Sequence, residues 1–296
     1  MTDFFPEQEG ESVLATGAKI RMSLSSLNNK ERSIADWLLI KGNLSQGISI
    51  REAATALGVS EPMIVKVAKK LGYSGFRELR SALLAYFDVL PFEKEEEISE
   101  HDNLSVVMEK VFTNSIQALK EAQSVADVNV INQAASLLHQ AQHVVLLGVG
   151  GSASVCQDFE HKLLRIGIHS HTYSDFHLML MVACQLGEGD VMVVISQSGD
   201  TRELLNAVEI ARKRGVRIIC ITNDDRSPLS QSSDLSIFSP ARSGPLLGQN
   251  AVARVIQLNL LDTLFIALIL QDYQTLNQNL QRGISVVEPL HAKNKS

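Results

Sequence analysis

The sequence has few of the residues on which disulfide-stapled, metal-binding or aromatic-rich proteins depend. It contains three cysteines and one tryptophan among 296 residues, and aromatic residues make up 5% of the chain. Cys156, Cys184 and Cys220 lie in apolar patterns without metal-ligand spacing. We therefore expect buried, reduced thiols in a cytoplasmic protein, and neither a disulfide framework nor a metal site.

Charge and hydropathy exclude further classes. The formal net charge of −6 gives no overall nucleic-acid signature, so any DNA contact requires a local basic patch. No apolar run reaches the roughly 18 residues needed to span a membrane, because Asn259, Asp262 and Thr263 interrupt the longest apolar-rich stretch, 258–270. The acidic amino terminus lacks a charged-then-apolar export signal. We expect a soluble globular protein of one large or two ordinary domains that does not contact membranes.

The stretch 191–201, VMVVISQSGDT, combines a strand pattern with a turn rich in hydroxyl groups. Its apolar, β-branched first half predicts a strand buried on both faces of a parallel sheet. A helical pattern follows the turn, so the hydroxyls lie where a strand's carboxyl end meets a helix amino terminus, a place that attracts ligands and anions. The alternative is an ordinary capping turn, but one cap needs one hydroxyl. The spacing favours a phosphate-type site in which Ser196, Ser198 and Thr201 donate and Gly199 lets the backbone approach.

Strand and helix patterns alternate through the carboxyl-terminal half, which predicts βαβ units and a mostly parallel sheet. The predicted strands are 143–147, 167–173, 190–196, 217–222 and 234–238. The predicted helices are 104–122, 128–141, 152–166, 176–186, 201–214, 228–232 and 250–271. Five strands at this spacing predict a flavodoxin-like, doubly wound α/β fold. The last helix is apolar on more than one face, so we expect it to be buried, in part at a subunit contact.

A second glycine-rich turn, GVGGSA at 148–153, follows the first predicted strand. It satisfies the dinucleotide-binding pattern, but no acidic residue ends the second strand to hold ribose hydroxyls, and Asp175 lies just beyond it. Gly150, Gly151 and Ser152 offer a backbone and hydroxyl cradle that can meet the 196–201 turn across the switch point of the sheet. Two such turns suit one compact phosphate better than a dinucleotide, so we predict no cofactor.

The amino-terminal third is helical in pattern beyond residue 22; periodicity is weak before it, and we expect poor order up to about Gly17. Capping residues and apolar spacing predict helices at 28–42, 49–57 and 60–71, the second with a capping box at Ser49 and Glu52. A glycine turn joins the last two, which is a helix-turn-helix arrangement. Residues 60–80 carry five basic against two acidic side chains, a candidate phosphate-facing patch. The alternative is a small helical bundle with solvated lysines.

An acidic, apolar-poor stretch at 93–103, EKEEEISEHDN, predicts a linker between two domains. We therefore expect an all-α DNA-binding domain at 1–87, a linker at 88–103, a ligand-binding domain at 104–283 and a tail at 284–296.

Two stretches resemble known families. GVSEPMIVKVAKKLGYSGFRELRSAL at 58–83 resembles the helix-turn-helix signature of the RpiR family of bacterial transcriptional regulators. GVGGSA together with SQSGDT resembles the SIS (sugar isomerase) domain, which binds phosphosugars in isomerases and regulators. The two together are the RpiR-family layout over nearly the whole chain. The resemblance implies a repressor of sugar-phosphate metabolism genes, a homodimer or homotetramer on double-stranded operator DNA, controlled by a phosphosugar of the ribose 5-phosphate or allose 6-phosphate class.

The resemblance also assigns residues. It implies a DNA-facing set in which some residues approach bases and others the backbone: Ser60, Glu61, Met63, Ile64, Lys66, Lys69, Lys70 and Arg77. It implies phosphosugar contacts in the two turns: Gly150, Gly151, Ser152, Ser196, Gln197, Ser198, Gly199 and Thr201. Asp175 and His177 are candidates for binding sugar hydroxyls, or else plain capping or surface residues. Asn250 and Arg254 are candidates for closing over the ligand, and Arg254 equally for an intersubunit ion pair.

An isomerase with an accessory helical domain is the alternative function, and it requires a positioned base. The candidates are Glu160, His161, His177 and Glu188. The first two lie well inside the helix after GVGGS, away from the phosphate end. The loop 239–249, where SIS isomerases resemble one another in carrying a catalytic carboxylate, has no Glu, Asp or His. We therefore predict a sensor without catalytic residues.

Overall fold

The computed structural model describes residues 9–44, 47–89, 98–241 and 251–292. The chain divides into two compact units, Met1–Ala126 with Pro240–Ile256 and Asp127–Ser239 with Gln257–Ser296. Half of the predicted linker at 88–103, residues 90–97, lies outside the described residues. The helix that follows the linker belongs to the first unit, whereas the sequence placed it with the ligand-binding domain.

The first unit is helical. Its helices are α1 (Glu9–Ser23), α2 (Asn29–Leu38), α3 (Ile50–Leu57), α4 (Glu61–Lys70), α5 (Phe76–Val89) and α6 (Leu104–Val125), with 3₁₀ turns at Leu24–Ser26 and Lys41–Asn43. Helices α1, α2, α3, α4 and α5 share one apolar core, in which Ile34, Ile64 and Leu79 are almost completely buried. The half-buried Trp37 packs against this core.

The expectation of poor order up to Gly17 is wrong for residues 9–17, which belong to α1, and residues 1–8 lie outside the described residues. Ala15, Ala18 and Ile20 are buried. Gly17 lies against the Tyr86 ring, where an added Cβ would come within 2.6 Å of ring atoms, so the glycine allows α1 and α5 to approach closely. Because α1 is covered on several faces, its apolar residues follow no single stripe, and periodicity misses it.

A buried polar cluster ties α1, α5 and α6 together. Arg21 Nε lies 2.9 Å from Glu121 Oε2, with side chains 3% and 0% exposed. The Tyr86 hydroxyl donates to Glu121 Oε1, and Gln117 Nε2 donates to the Tyr86 hydroxyl over 2.7 Å. A buried charge pair of this kind is costly to break by removing one partner.

The second unit is a doubly wound α/β fold, which confirms the predicted fold class. Its elements are α7 (Val128–Gln140), β1 (Val144–Gly148), α8 (Gly151–Arg165), β2 (Ser170–Tyr173), α9 (Phe176–Ala183), β3 (Val191–Ile195), α10 (Arg202–Arg212), β4 (Arg217–Thr222), α11 (Pro228–Gln231), β5 (Leu235–Phe238), α12 (Ala251–Gln271, whose first turn belongs to the first unit) and α13 (Tyr273–Ala292). The five strands are parallel in the order β2-β1-β3-β4-β5.

Alternate residues of the central strands face opposite sides of the sheet. Val145, Met192 and Ile218 share one core with α9, α10 and α11, while α8 packs on the sheet's β1–β2 side and α7 on β5. All five residues of both β1 and β3 are buried, as their apolar runs predict.

Helix α12 is long and apolar enough to cross a membrane by length and composition, with a mean hydropathy of 1.8 over an 18-residue window. Half of that window is buried inside the protein, and core helices of soluble proteins pass the same test. The sequence analysis predicted no membrane-spanning stretch because it required an unbroken apolar run of roughly 18 residues. Ile256, Leu261 and Leu264 are fully buried, so α12 is a core helix, although Ile266 and Leu270 stay 54% and 66% exposed.

Two smaller expectations need correction. Cys156 and Cys220 are buried, and burial raises both pKa values, that of Cys156 to about 12, but Cys184 is exposed. The segment 284–296, expected to be a tail, continues α13 as far as Ala292.

Candidate functional site

The two glycine-rich turns begin side by side. The chain leaves β1 for β2 on one side and returns to β3 on the other, so the order of the sheet reverses between β1 and β3. Gly148 at the end of β1 pairs with Ile195 at the end of β3. In open α/β sheets the crevice at such a switch point is the ligand-binding position.

The turn after β1 depends on glycine. Gly150 has φ 58° and ψ −125°, a conformation that residues with a side chain rarely adopt. Gly148 lets α8 pack close to the strand, since an added Cβ would lie 2.8 Å from Cys156 Sγ and 2.9 Å from the Ser152 backbone. The amino terminus of α8 therefore lies directly at the carboxyl edge of the sheet.

The turn after β3 is held by its own hydroxyl groups. Ser196 is buried, and its Oγ lies 3.1 Å from Thr201 Oγ1 and accepts the Gly199 N–H over 3.2 Å. Gly199 has φ +62°, and an added Cβ would lie 2.2 Å from Ser227 Oγ and 2.7 Å from Thr222 Oγ1. Leu229 N–H donates to the Gly199 carbonyl over 3.0 Å. Only glycine fits this position, and it brings the backbone against the ends of β4 and α11.

Both helices at the switch point begin without a side-chain cap. Gly150 at the start of α8 and Thr201 at the start of α10 make no capping hydrogen bond. Their neighbours in the same unit are capped, α7 by Asp127, α9 by Asp175 and α11 by Ser227. No side-chain oxygen therefore caps the amino terminus of α8 or α10, although the Ser152 and Ala153 N–H groups donate to the Val149 and Gly150 carbonyls. The positive dipole ends of both helices suit a bound anion.

The hydroxyl groups of the two turns differ in availability. Ser152 and Thr201 are half-buried and Ser198 is exposed. Ser196 Oγ accepts the Gly199 N–H, and both residues stay predicted ligand contacts. The Gln197 carbonyl accepts the Asn223 N–H over 3.0 Å and the Thr222 hydroxyl over 3.3 Å, so Gln197 fixes the turn against β4.

Four further candidates for ligand contacts lie outside the two turns. Asp175 is exposed and accepts the Leu178 N–H over 3.1 Å, which is the capping role that was the alternative. His177 is exposed in the first turn of α9, with its ring 5.7 Å from that of Phe176. Asn250 lies outside the described residues. Arg254 is exposed in the part of α12 that belongs to the first unit, so its role stays a prediction.

Three of the four predicted bases of an isomerase lie away from the carboxyl edge of the sheet, where the two turns lie. Glu160 and His161 are about 14–15 Å along α8 from its first residue, and Glu188 precedes β3. Burial raises the pKa of Glu160, but hydrogen bonds from Thr172 and His171 outweigh it and lower the pKa overall, which makes this carboxylate a weak base. Of the four, His177 alone follows a strand at the carboxyl edge.

The helix-turn-helix is formed as predicted. Ser49 and Glu52 form the expected capping box on α3, which ends at Gly58 with φ 62°. Ser60 stands at the amino cap of α4 without a capping bond, so its hydroxyl is not used by the helix. Ser60, Glu61, Lys66, Lys69 and Arg77 are exposed and Met63 is half-buried. Val65, which the sequence did not single out, is also partly exposed between them.

Two predicted DNA contacts, Ile64 and Lys70, and one other residue of the basic patch, Arg80, make contacts inside the helical unit. Ile64 is 0% exposed, so its assignment near bases is wrong: it belongs to the inward apolar stripe of α4. Arg80 donates from Nη1 to the Ile48 carbonyl over 2.5 Å and supports the fold. Lys70 Nζ lies 2.7 Å from Glu31 Oε2.

Glu31 is the residue that sequence reasoning missed. It lies in the first turn of α2, is 0% exposed, and also pairs with Lys66 over 3.1 Å. Its pKa is lowered to about 2, first by the hydrogen bond from Lys70, then by the Asn28 N–H and Lys66. The signal available in the sequence was the Asn28–Glu31 capping box, which the structure contains.

Comparison with known proteins covers both units. The helix-turn-helix domain of the rpiR family matches residues 15–88, and the SIS domain matches residues 137–267. The chain is similar to the HTH-type transcriptional regulator RpiR of Escherichia coli (strain K12), at 42% identity over 95% of this chain and 97% of the relative.

Two solved structures are similar to the chain. The Vibrio vulnificus NanR protein complexed with ManNAc-6P is 26% identical with a TM-score of 0.58, covering 93% of this chain and 98% of that one. The phosphoheptose isomerase GmhA of Neisseria gonorrhoeae is 22% identical with a TM-score of 0.50. The match covers 56% of this chain and 99% of that one, and it shows the fold alone.

Proposed function

The chain belongs to the RpiR family of helix-turn-helix transcriptional regulators, and from that premise we propose that it represses genes of sugar-phosphate metabolism until a phosphosugar binds its SIS domain. The effector class proposed is that of ribose 5-phosphate or allose 6-phosphate. The observation that carries the ligand half of the proposal is the pair of uncapped helices, α8 and α10, on either side of the switch point. The structure of the relative NanR, described as complexed with ManNAc-6P, supports a phosphosugar as the ligand class.

The ligand site proposed is built from both turns. The phosphate lies at the amino termini of α8 and α10, where Ser152, Ser198 and Thr201 supply hydroxyl donors. The Gly150–Gly151 backbone lets the ligand approach. Ser196, Gln197 and Gly199 also stay proposed contacts, and they shape the turn as well: Ser196 Oγ accepts the Gly199 N–H and lies beside Thr201 Oγ1, and the Gln197 carbonyl is bonded to β4. Asp175, His177, Asn250 and Arg254 are proposed only as contacts to the sugar.

The DNA interface proposed is the exposed face of α4 with the start of α5. Ser60, Glu61 and Met63 lie at the amino-terminal end of α4, the part of a recognition helix that approaches base edges. Lys69 and Arg77 are exposed and reach backbone phosphates, which position the protein without reading sequence. The division at residues 88–103 between this domain and the SIS domain also stays a proposal.

We propose a sensor rather than an enzyme. An isomerase needs a base beside the sugar carbons, and Glu160, His161 and Glu188 lie away from the carboxyl edge of the sheet. His177 is exposed and pairs with no carboxylate among the described residues, so it is a weak candidate. The 42% identity to a regulator over nearly the full chain points the same way.

The proposed mode of DNA binding also requires an oligomer. A repressor of this kind binds two half-sites about 34 Å apart on one face of the duplex as a two-fold dimer. Exposed apolar residues on α12, Ile266 and Leu270, suit a subunit contact between SIS domains. We propose a homodimer or homotetramer in the cytoplasm, since its relatives are transcriptional regulators, which act on DNA.

Thermal unfolding with a panel of phosphosugars and the matching free sugars tests the ligand half. We expect one phosphosugar to raise the midpoint and its free sugar to leave it unchanged, since the uncapped helices select the phosphate. Ser198→Ala removes an exposed hydroxyl of the site and should abolish most of the shift. Ser285→Ala, an exposed serine on α13, is the matched control and should keep it. A shift of equal size in both variants contradicts the proposed site.

A further inference from the structure

Glu31 lies in α2 and contacts α4, the proposed recognition helix. It is the third residue of α2 and completes a capping box, accepting the Asn28 N–H over 3.1 Å. Its carboxylate also meets two lysines of α4, Lys66 at 3.1 Å and Lys70 at 2.7 Å. The carboxylate is 0% exposed, whereas the lysine side chains are 58% and 37% exposed.

We infer that Glu31 is a positioning residue for DNA recognition, which holds α4 through Lys66 and Lys70 and keeps both ammonium groups from binding phosphates of any DNA sequence. The inference rests on the proposed function, in which α4 lies in the operator. It changes the expectation for Lys66 and Lys70, which the sequence placed at the DNA.

The hold is strong because of where the charge lies. A buried carboxylate that loses its cationic partners is left uncompensated, so the ion pairs resist rearrangement more than exposed pairs do. Lys66 and Lys70 are one helical turn apart and converge on the same carboxylate, which fixes the rotation of α4 as well as its distance from α2. Among the described residues, Lys69 is the lysine of α4 that has no ion pair with a carboxylate.

The consequence concerns discrimination. Each phosphate that a lysine neutralises adds about 0.9 to the slope of log affinity against log salt, on any DNA sequence. Two freed lysines would therefore strengthen binding to unrelated DNA, while a loosened α4 would place Ser60, Glu61 and Met63 less accurately at base edges. Glu31 limits the first effect and prevents the second.

Glu31→Gln tests this with little disturbance, because glutamine also completes a capping box. Glu52→Gln is the matched control, since Glu52 is the capping-box residue of α3, is exposed, and its carboxylate accepts from the Ser49 N–H and hydroxyl. Its carboxylate makes no ion pair with a residue that the structure describes. Binding is measured by fluorescence anisotropy over a series of KCl concentrations. The probes are a duplex selected by the wild-type protein from a random pool and a scrambled duplex of the same composition.

For Glu31→Gln we expect a salt slope on the scrambled duplex steeper by about 1–2 and a ratio of selected to scrambled affinity lower by about tenfold. Glu52→Gln should match the wild type in both. The double variant Lys66→Gln/Lys70→Gln, made in the wild-type background, should leave the slope on the selected duplex unchanged, and it decides the question if Glu31→Gln does not fold.

Two results overturn the inference: an unchanged slope and ratio in Glu31→Gln, or a slope about 2 lower in the double lysine variant, which would place both lysines on phosphates. Lys69→Ala separates this failure from failure of the proposed interface. If Lys69→Ala lowers the slope by about 1 in either case, α4 still binds DNA and only the role of Glu31 is wrong. If it does not, the proposed interface itself fails.

Discussion

Replacing Gly199 by alanine tests whether the turn after β3 is built for close backbone approach. The left-handed backbone at φ +62° costs alanine about 1–2 kcal/mol relative to glycine. The new Cβ would also lie 2.2 Å from Ser227 Oγ and 2.4 Å from Ser227 Cβ, inside any normal contact. Overpacking of this kind costs about 1–3 kcal/mol, so the variant should lose about 2–5 kcal/mol in total.

Gly215→Ala separates the two contributions. Gly215 has a similar backbone, φ +83°, but its added Cβ would meet Glu188 only at 3.6 Å, an ordinary contact. It lies between α10 and β4, away from the carboxyl edge of the sheet. We expect it to lose only the backbone part, about 1–2 kcal/mol.

The assay is urea unfolding of both variants followed by far-UV circular dichroism, with the phosphosugar thermal shift measured in parallel. Trp37 lies in the helical unit, so its fluorescence reports on the part of the protein that neither substitution touches. Gly199→Ala should be the less stable variant and should lose the phosphosugar shift, whereas Gly215→Ala should keep it. Equal stability of the two, or a normal shift in Gly199→Ala, would refute the account of the turn.

Three further predictions concern the helical unit. Arg21→Met leaves the Glu121 carboxylate buried without its cation and should cost about 3–5 kcal/mol in urea unfolding; a loss below 1 kcal/mol would show that the cluster does not hold α6 to α1. Lys69→Ala should weaken binding to all DNA alike and lower the salt slope by about 1, and an unchanged slope would remove Lys69 from the interface. The folded pKa of Glu31, about 2, is below its usual value of 4.5, so its ion pairs stabilise the protein above pH 4.5 and this contribution is lost as the pH falls towards 2. Acid unfolding of Glu31→Gln should therefore lose less stability over that interval than the wild type, and parallel curves would contradict the low pKa.

The sheet and its turns could be predicted because their signals are local. Five strand patterns that alternate with helical patterns predict a parallel sheet, and a glycine-rich turn after each of two strands marks its binding edge. Helices α1 and α13 escaped prediction for the opposite reason. The pattern of α1 is set by packing against α5 and α6, which are distant in sequence, and α13 is exposed from 281 to 288 with no single apolar stripe.

The chemistry of individual side chains depended on contacts that no spacing specifies. Ser196 and Ser198 look alike in the sequence, yet one hydroxyl is buried within the turn and the other is exposed. Ile64 lies on the buried side of α4, which its apolar spacing indicated and the family resemblance obscured. The pairing of Glu31 with Lys66 and Lys70 joins residues 35 and 39 positions apart, so a reading of α4 alone counts both lysines as free.

The central claim is that phosphosugar and operator binding are coupled through one chain, and a single titration tests it. Fluorescence anisotropy of the selected duplex is measured against protein concentration, with and without a saturating phosphosugar identified by thermal shift. The account predicts a loss of operator affinity of about 5–150-fold, the usual range of allosteric coupling, and no loss with the free sugar or with Ser198→Ala. An operator affinity that is the same with and without the bound phosphosugar would contradict it.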